Sequence, residues 1–159
     1  MIEHVEGNII NIKSDILINA SNGKGWMGGI IGRYFLLKGV AETIHFHDHT
    51  IEKQAKRICK TFNLTLGDVF LTKSGSLGFD KGVMHAITMM KPGQESNLNT
   101  IERCLDNITN YCLENGISSA TIPLLGTGTG GLDKKDVLGL FEKRLVKHPT
   151  IFKVVHYRS

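Results

Sequence analysis

The sequence predicts an α/β fold in which helices cover both faces of a central sheet. Strand-like and helix-like segments alternate along the chain, which is typical of this class and not of a β-sandwich or a helical bundle. Residues 16–20 form a largely apolar run without polar alternation, as expected for a strand covered on both faces. Two glycine-rich segments, residues 21–29 and 126–131, each follow an apolar run. Because ligands of such sheets bind beyond the carboxyl ends of strands, both segments are expected to line one crevice.

The N-terminal half is expected to combine strands with two helices. Residues 2–5 and 9–12 indicate a short opening strand with a glycine turn in its middle. Beyond the apolar run, residues 30–37 have the composition of a helix start, although nearby glycines weaken it. Residues 50–61 predict a helix, because apolar side chains recur at near-helical spacing at Ile51, Ala55, Ile58 and Cys59.

The C-terminal half alternates more regularly. Residues 97–115 carry the clearest helical stripe, and Asn115-Gly116 supplies a stop signal. A last helix is predicted from Asp133 to about residue 146, directly after the second glycine-rich segment. Strands are predicted at residues 67–73, 82–89, 117–125 and 151–157.

Length and composition limit the possible functions. A chain of 159 residues with 41% apolar residues and no linker is expected to form one domain, residues 1–159. No apolar run approaches the roughly 20 residues that span a bilayer, and the N-terminus lacks a secretory signal, so we expect an intracellular protein in the cytoplasm or nucleus. The net charge of +4 is mild, and the basic residues are scattered along the sequence. Neither membrane association nor sequence-specific nucleic-acid binding is therefore expected.

A second group of residues raises the question of a metal. His45, His47 and His49 stand at alternate positions and would share one face of a strand. The surrounding residues do not predict a strand, and no further carboxylate or thiolate ligand can be placed, so we expect a solvated turn between helices. The three cysteines lack metal-type spacing and are expected to be reduced. We expect no metal and no cofactor.

The segment 126–131 has the properties of a phosphate-binding loop. A strand, a glycine-rich turn and a helix start leave backbone N–H groups free for an anion. Gly126, Gly128 and Gly131 also satisfy G-x-G-x-x-G, which invites an NAD-binding interpretation. That fold requires the motif near the start of a βαβ unit and an acid at the end of the next strand, and both are missing here. The Gly-Lys-Ser/Thr of a Walker loop is also missing. Glycines that merely form a tight connection would explain one such segment better than two.

Five motifs stand in order along the whole chain: G-N-I-I at 7–10, D-I-L-I-N-A-S-N at 15–22, G-W-M-G-G-I at 25–30, G-D-V at 67–69 with V-M-H-A-I at 83–87, and A-T-I-P-L-L-G-T-G at 120–128. Together they resemble the macrodomain family of ADP-ribose-binding modules. The corresponding family motifs are G-D-I-T, D-A-I-V-N-A-A-N, a glycine-rich catalytic loop, G-x-A with V-I-H-T-V, and I-A-F-P-A-I-G-T-G.

The resemblance implies a three-layer α/β/α sandwich around a mixed, about six-stranded sheet, with a cleft for ADP-ribose. By position, Asn8 and Ile9 would meet the adenine, and residues 28–31 the distal ribose and the diphosphate. Residues 126–131 would cradle the diphosphate, and Asn22 would contact the distal ribose. The implied ligand-binding residues are Asn8, Ile9, Asn19, Asn22, Gly28, Gly29, Ile30, Ile31, Leu125, Gly126, Thr127, Gly128, Thr129, Gly130 and Gly131.

The chain departs from the family pattern at several of these positions. Asn8 replaces the adenine-reading aspartate, which makes the bond to adenine neutral and weaker. Ile31 stands near the acid of the hydrolase branches, and Gly130 replaces the usual aromatic residue. Lys91 lies near the position of a lysine used by a branch that cleaves ADP-ribose from protein glutamates or DNA.

Two functions remain open, together with a remote third. The first is an enzyme that removes ADP-ribose from a modified protein or nucleic acid, or processes a free derivative, with Asn22, Lys91 and Asp133 as candidate catalytic residues. The second is a reader that binds ADP-ribose without turnover, which the absence of an acid at Ile31 favours. The remote third is an NAD-binding protein of the Rossmann type. The expected partners are ADP-ribose and ADP-ribosylated macromolecules.

Overall fold

A mixed, six-stranded sheet with helices on both faces organises the computed structural model, which describes residues 1–157. The regular elements are β1 (Ile2–Glu6), β2 (Ile16–Asn22), α1 (Gly29–Tyr34), α2 (Val40–His47), α3 (Thr50–Thr61), β3 (Val69–Thr72), β4 (Val83–Met89), α4 (Leu98–Glu114), β5 (Ser119–Pro123), α5 (Lys134–Leu145) and β6 (Ile151–His156). Short 3-10 turns cover Ile9–Asn11 and Gly75–Leu77. The predicted α/β class and the mixed six-stranded sheet are confirmed.

The strand order decides where a ligand site can form. It is β1-β6-β5-β2-β4-β3, with β3 antiparallel to β4 and every other pair parallel. The carboxyl ends of β1, β2, β4, β5 and β6 therefore meet at one edge of the sheet. An antiparallel edge strand and this order differ from the dinucleotide-binding sheet, so the Rossmann-type fold of the third alternative is wrong.

Two apolar layers cover the sheet, because successive strand residues point to opposite faces. On β2, Ile16 and Ile18 join the core formed with α4 and α5, whereas Leu17 joins the core formed with α2, α3 and the turn Ile9–Asn11. Full burial on both faces explains why the sequence of β2 shows no polar alternation. The three layers of the predicted sandwich follow from this arrangement.

Most predicted elements are confirmed with small changes at their ends. The stretch 50–61 is helix α3 as predicted, and Asn97 and Asp133 act as the N-caps of α4 and α5, accepting backbone N–H groups through their side chains. The strand predicted at 151–157 ends at His156. None of the helices in residues 1–157 is both long and apolar enough to cross a membrane.

Two predictions of local structure are wrong. The strand expected at 9–12 is a 3-10 turn, because the Asn8 side-chain oxygen accepts the N–H of Ile10 at 3.3 Å and curls the chain. The solvated histidine turn is largely helix α2, in which His45 is fully buried while His47 is exposed. Alternate residues of a helix lie on different faces, so the histidines do not form a metal-binding row.

Candidate functional site

Two glycine-rich loops lie at the carboxyl edge of the sheet. We call residues 23–32, which follow β2, the first glycine loop, and residues 124–131, which follow β5, the second glycine loop. Because β2 and β5 are parallel neighbours, both loops leave the sheet at the same edge. The crevice that the sequence predicts between the two loops stays a prediction.

The second glycine loop closes on its own backbone. The N–H of Leu132 donates to the carbonyl of Gly126 at 2.9 Å, and the N–H of Gly131 donates to Gly128 at 3.0 Å. A Cβ added to Gly130 would lie 2.6 Å from the carbonyl oxygen of Gly126, far inside van der Waals contact. An aromatic side chain at Gly130 is therefore incompatible with this loop conformation, which explains the departure noted in the sequence.

The hydrogen bonds that close the second glycine loop leave some of its backbone N–H groups without an acceptor. Within residues 1–157, the backbone N–H groups of Gly128, Thr129 and Gly130 donate no hydrogen bond. A Cβ on Gly128 would meet no atom within 4 Å, so the main chain is open to the surroundings at that position. Consecutive free N–H groups in a turn form an anion-binding concavity. This arrangement can hold a phosphate or diphosphate group.

Asn22 organises the start of the first glycine loop. Its side-chain oxygen accepts the N–H groups of Lys24 at 3.0 Å and Trp26 at 3.2 Å, and its amide nitrogen donates to the Trp26 carbonyl at 2.9 Å. These three bonds engage both ends of the amide inside the loop. A direct role for Asn22 toward a ribose stays a prediction.

A buried carboxylate and a buried imidazole support the next part of this loop. Glu52 of α3 accepts the N–H groups of Met27 at 2.6 Å and Gly29 at 2.9 Å. His45 of α2 donates from Nε2 to the Gly29 carbonyl at 2.7 Å and lies 3.7 Å from Glu52 Oε1. A Cβ on Gly32 would approach the His45 ring to 3.0 Å, so the chain passes close to the imidazole at this glycine. Side chains of α2 and α3 thus hold this loop in place.

The hydrogen bonds also set the charge of Glu52. Burial alone would raise the pKa of its carboxyl, but the N–H groups of Gly29 and Met27, with His45 and Lys56 nearby, lower the pKa below its ordinary value. Glu52 is therefore ionised at neutral pH and accepts from both backbone N–H groups. The Glu52 carboxylate therefore fixes the loop through the backbone N–H groups of Met27 and Gly29.

Neither Glu52 nor His45 was identified from the sequence as a site residue. The available signal was weak: Glu52 is an acid beside Ile51 on the apolar side of a basic helix, and His45 follows Ile44 on the buried side of α2. Their role depends on contacts with residues 16 to 25 positions away. Periodicity alone does not reveal such contacts.

The turn after β4 joins the two glycine loops. The N–H of Gly23 donates to the Met89 carbonyl at 2.9 Å, and the N–H of Ser96 donates to the Gly130 carbonyl at 2.9 Å. Lys91 lies between these anchor points, and its side chain is exposed. Within residues 1–157, Lys91 forms no ion pair. Its ammonium group is therefore available to a ligand at the sheet edge from which both loops extend.

The remaining predicted residues occupy different environments. Asp133 lies two residues after the second glycine loop, where its Oδ1 accepts the N–H of Lys135 at 2.8 Å as a helix cap. Asn8 is half-buried at the end of β1. Ile30 and Ile31 are exposed by 74% and 64%, so both are accessible to a ligand. All of them belong to segments at the carboxyl edge.

Asn19 lies below the others, inside the molecule. It is fully buried, and its amide nitrogen donates to His85 Nδ1 at 3.0 Å, while His85 Nε2 bonds the Thr72 hydroxyl at 2.9 Å. Burial lowers the pKa of His85 to about 3, so this imidazole is neutral near neutral pH. The buried position argues against direct contact between Asn19 and a ligand, and its place in the site stays a prediction.

Comparisons with known proteins agree with this geometry. The family described as Macro domain matches residues 18–141. A DNA ADP-ribosyl glycohydrolase of Mycobacterium tuberculosis is 29% identical over 146 residues, which cover 92% of this chain and 38% of that protein. The chain thus spans well under half the length of that relative.

Two solved structures have the same fold. The macrodomain of Thermus aquaticus DarG has a TM-score of 0.82 at 23% identity, covering 100% of this chain and 99% of that chain. Thermosipho africanus DarTG in complex with ADP-ribose has a TM-score of 0.81 at 24% identity, covering 99% of this chain and 41% of that chain. At these identities the likeness shows the fold.

Proposed function

This chain belongs to the Macro domain family, and on that premise we propose that it binds ADP-ribose between the two glycine loops and hydrolyses an ADP-ribosyl linkage there. The observation that carries the proposal is the row of free N–H groups at Gly128, Thr129 and Gly130, at the same sheet edge as the first glycine loop. The Thermosipho structure with ADP-ribose and the mycobacterial glycohydrolase support this ligand and this reaction.

The second glycine loop is suited to the diphosphate. Free backbone N–H groups bind anions well because their fixed partial positive charges attract the negative charge of the phosphate oxygens. The first glycine loop contributes the exposed residues Ile30 and Ile31 to the distal-ribose end. Asn8, at the end of β1, is proposed to meet the adenine through its neutral amide.

Hydrolysis needs proton transfer near the distal ribose. The bond between the anomeric carbon and the acceptor breaks, water supplies a hydroxyl to that carbon, and the acceptor receives a proton. Asp133 retains a carboxylate oxygen, Oδ2, that accepts no hydrogen bond within residues 1–157, and Lys91 offers an unpaired ammonium group. We assign proton transfer or charge stabilisation to these two residues. DNA is the first acceptor to test, given the mycobacterial relative.

A non-catalytic reader is the second candidate. The Asn22 amide is engaged at both its oxygen and its nitrogen by Lys24 and Trp26 within its loop, and Ile31 supplies no acid. A cleft without a positioned base would retain ADP-ribose and leave the linkage intact.

A release assay separates the two candidates. The protein is incubated with ADP-ribosylated DNA and with mono-ADP-ribosylated protein, and free ADP-ribose is measured. Lys91→Ala is expected to slow release at least tenfold, since general acid–base groups contribute about 10²–10⁴ in rate. Lys81→Ala, which removes an exposed lysine at the opposite end of β4, is the matched control and should release as the wild type does. No release by the wild type from either substrate establishes the reader.

A further inference from the structure

The exposed side of α3 forms a basic groove beside the first glycine loop. The depression has a volume of about 610 Å³ and is lined by Gly23, Lys24, Lys56, Arg57, Cys59 and Lys60. We call it the α3 groove. The basic residues are scattered in the sequence, but the fold brings Lys24 across from a helix that carries Lys56, Arg57 and Lys60 on neighbouring turns.

The groove has little compensating negative charge. Among the described residues, 1–157, its only ion pair joins Lys56 to Glu52 at 3.3 Å, and Glu52 is itself buried beneath the first glycine loop. Within residues 1–157, Lys24, Arg57 and Lys60 form no ion pair. Clustered cations in a concave surface raise the local positive potential and attract polyanions.

The α3 groove is continuous with the site already described. The N–H of Lys24 is held by the Asn22 side chain at 3.0 Å, so the groove begins at the turn that opens the first glycine loop. A Cβ on Gly25 would lie 2.7 Å from the backbone nitrogen of Lys56, which shows how closely that loop rests on α3. A polymer in the groove would therefore pass next to the proposed cleft.

We propose that the α3 groove binds the sugar-phosphate backbone of a single nucleic-acid strand. The inference rests on the proposed function, in which an ADP-ribosylated nucleotide of that strand enters the cleft. Phe62 follows Lys60 by two residues, caps the end of α3 and is 59% exposed, so its ring is available to stack on a base of a strand that leaves the groove. A basic groove with an exposed aromatic side chain is the usual combination for single strands. An acidic peptide would not need the aromatic residue, and a lipid surface would not need the concave shape.

Fluorescence anisotropy with an unmodified, labelled oligonucleotide of about 15 nucleotides tests the proposal, at salt concentrations from about 50 to 200 mM. The triple variant Lys24→Gln, Arg57→Gln and Lys60→Gln should raise Kd at least tenfold and reduce the salt slope by about 2, since each lost phosphate contact removes about 0.7. Phe62→Ala should raise Kd about fivefold and leave the salt slope unchanged, because stacking releases no counterions.

The matched control removes the same charge elsewhere. Lys134→Gln, Lys135→Gln and Lys143→Gln neutralise three exposed lysines of α5 and should leave Kd within about twofold of the wild type. Equal losses in both triple variants would overturn the proposal, as would an absence of oligonucleotide binding at low salt. Binding of polyglutamate or phosphatidylserine vesicles with the same affinity and the same dependence on the groove would also overturn it.

Calorimetry with free ADP-ribose separates this inference from the proposed function. If the cleft proposal fails, the oligonucleotide still binds but ADP-ribose gives no heat. If only the groove inference fails, ADP-ribose binds normally to the wild type and to the α3 triple variant, while the oligonucleotide does not bind.

Discussion

Two loops border the proposed ADP-ribose cleft, and different contacts hold them. The second glycine loop is closed by its own backbone, with Gly126 accepting from Leu132 and no room for a Cβ at Gly130. The first glycine loop rests on side chains of two helices, Glu52 and His45. The first loop therefore depends on distant residues and on their charge, whereas the second depends on the absence of side chains.

The difference extends to the two faces of the sheet. The face under the first glycine loop contains the buried polar residues His45, Glu52 and His85, whereas the α4–α5 face contains the buried thiols Cys104 and Cys112. Burial raises the pKa of Cys104 to about 12 and that of Cys112 to about 11, so both thiols stay neutral. Among these buried groups, the two whose pKa is lowered, Glu52 and His85, lie on the side of the first loop, so their contribution to acid sensitivity is expected there.

The largest expected effect comes from removing the clamp on the first loop. Glu52→Ala leaves the N–H groups of Met27 and Gly29 without an acceptor and should lower the free energy of unfolding by about 2–4 kcal/mol. Amide hydrogen exchange should accelerate at Met27 and Gly29 and stay unchanged in the second loop. Lys53→Ala, an exposed neighbour on the same helix, is the control. Faster exchange in both loops alike would show that they are not held separately.

The converse change targets the second loop. Gly130→Ala places a methyl group against the Gly126 carbonyl, so the loop must shift at a cost of about 1–3 kcal/mol. ADP-ribose affinity should fall at least tenfold, because the free donors of Gly128 and Thr129 move with the loop. Gly139→Ala, at a helical position with open space, should retain the wild-type affinity. Unchanged affinity in Gly130→Ala would remove the second loop from the site.

The dependence of stability on pH tests the role of the buried His85 imidazole. The folded pKa of His85, about 3, lies below its ordinary value of 6.5, so the unfolded chain binds a proton that the folded protein excludes. The stabilising contribution is complete above pH 6.5 and is lost as the pH falls toward the folded pKa, with a slope of up to about 1.4 kcal/mol per pH unit. His85→Gln should flatten this part of the stability curve in urea titrations, and the exposed His47→Gln should not. An unchanged curve in His85→Gln would contradict the assignment.

The smallest effect concerns Asn22 and sharpens its role in the first loop. Asn22→Asp keeps an oxygen that accepts from Lys24 and Trp26 but replaces the donor to the Trp26 carbonyl with a second carboxylate oxygen, for a cost of at least about 1 kcal/mol. If Asn22 only forms the turn, the variant should bind ADP-ribose more weakly, and any turnover should fall in proportion to the loss of affinity. Loss of turnover at unchanged affinity, measured by calorimetry beside the release assay, would make Asn22 catalytic instead.

The fold could be predicted from the sequence because local apolar patterns mark its helices and strands. The regular apolar spacing of α3 and α4 and the continuous apolar run of β2 were sufficient to place these elements. Helix α2 was missed because Gly39 precedes it and its histidines obscure the stripe of Ala41 and Ile44. The strand expected at residues 9–12 was wrong because a single Asx turn at Asn8 overrides the apolar pattern.

The part of the candidate site that depends on backbone conformation could be predicted from the sequence. Glycine spacing marks the second loop directly, since only glycine fits against Gly126. The supports of the first loop were not predictable, because Glu52 and His45 act across α2 and α3 on residues far away in the chain. The α3 groove was missed for the same reason, since Lys24 joins Arg57 and Lys60 only through folding.

Calorimetric titration of ADP-ribose into the wild type and into Gly128→Glu tests the central claim most directly. The wild type should bind one ADP-ribose per chain, and its melting temperature should rise with ligand concentration through linkage. Gly128→Glu should give no heat, because the new carboxylate repels the diphosphate, and should melt like the ligand-free wild type, since no atom lies within 4 Å of an added Cβ. The absence of heat and of a melting shift in the wild type at millimolar ADP-ribose, or equal affinity in Gly128→Glu, would contradict the account.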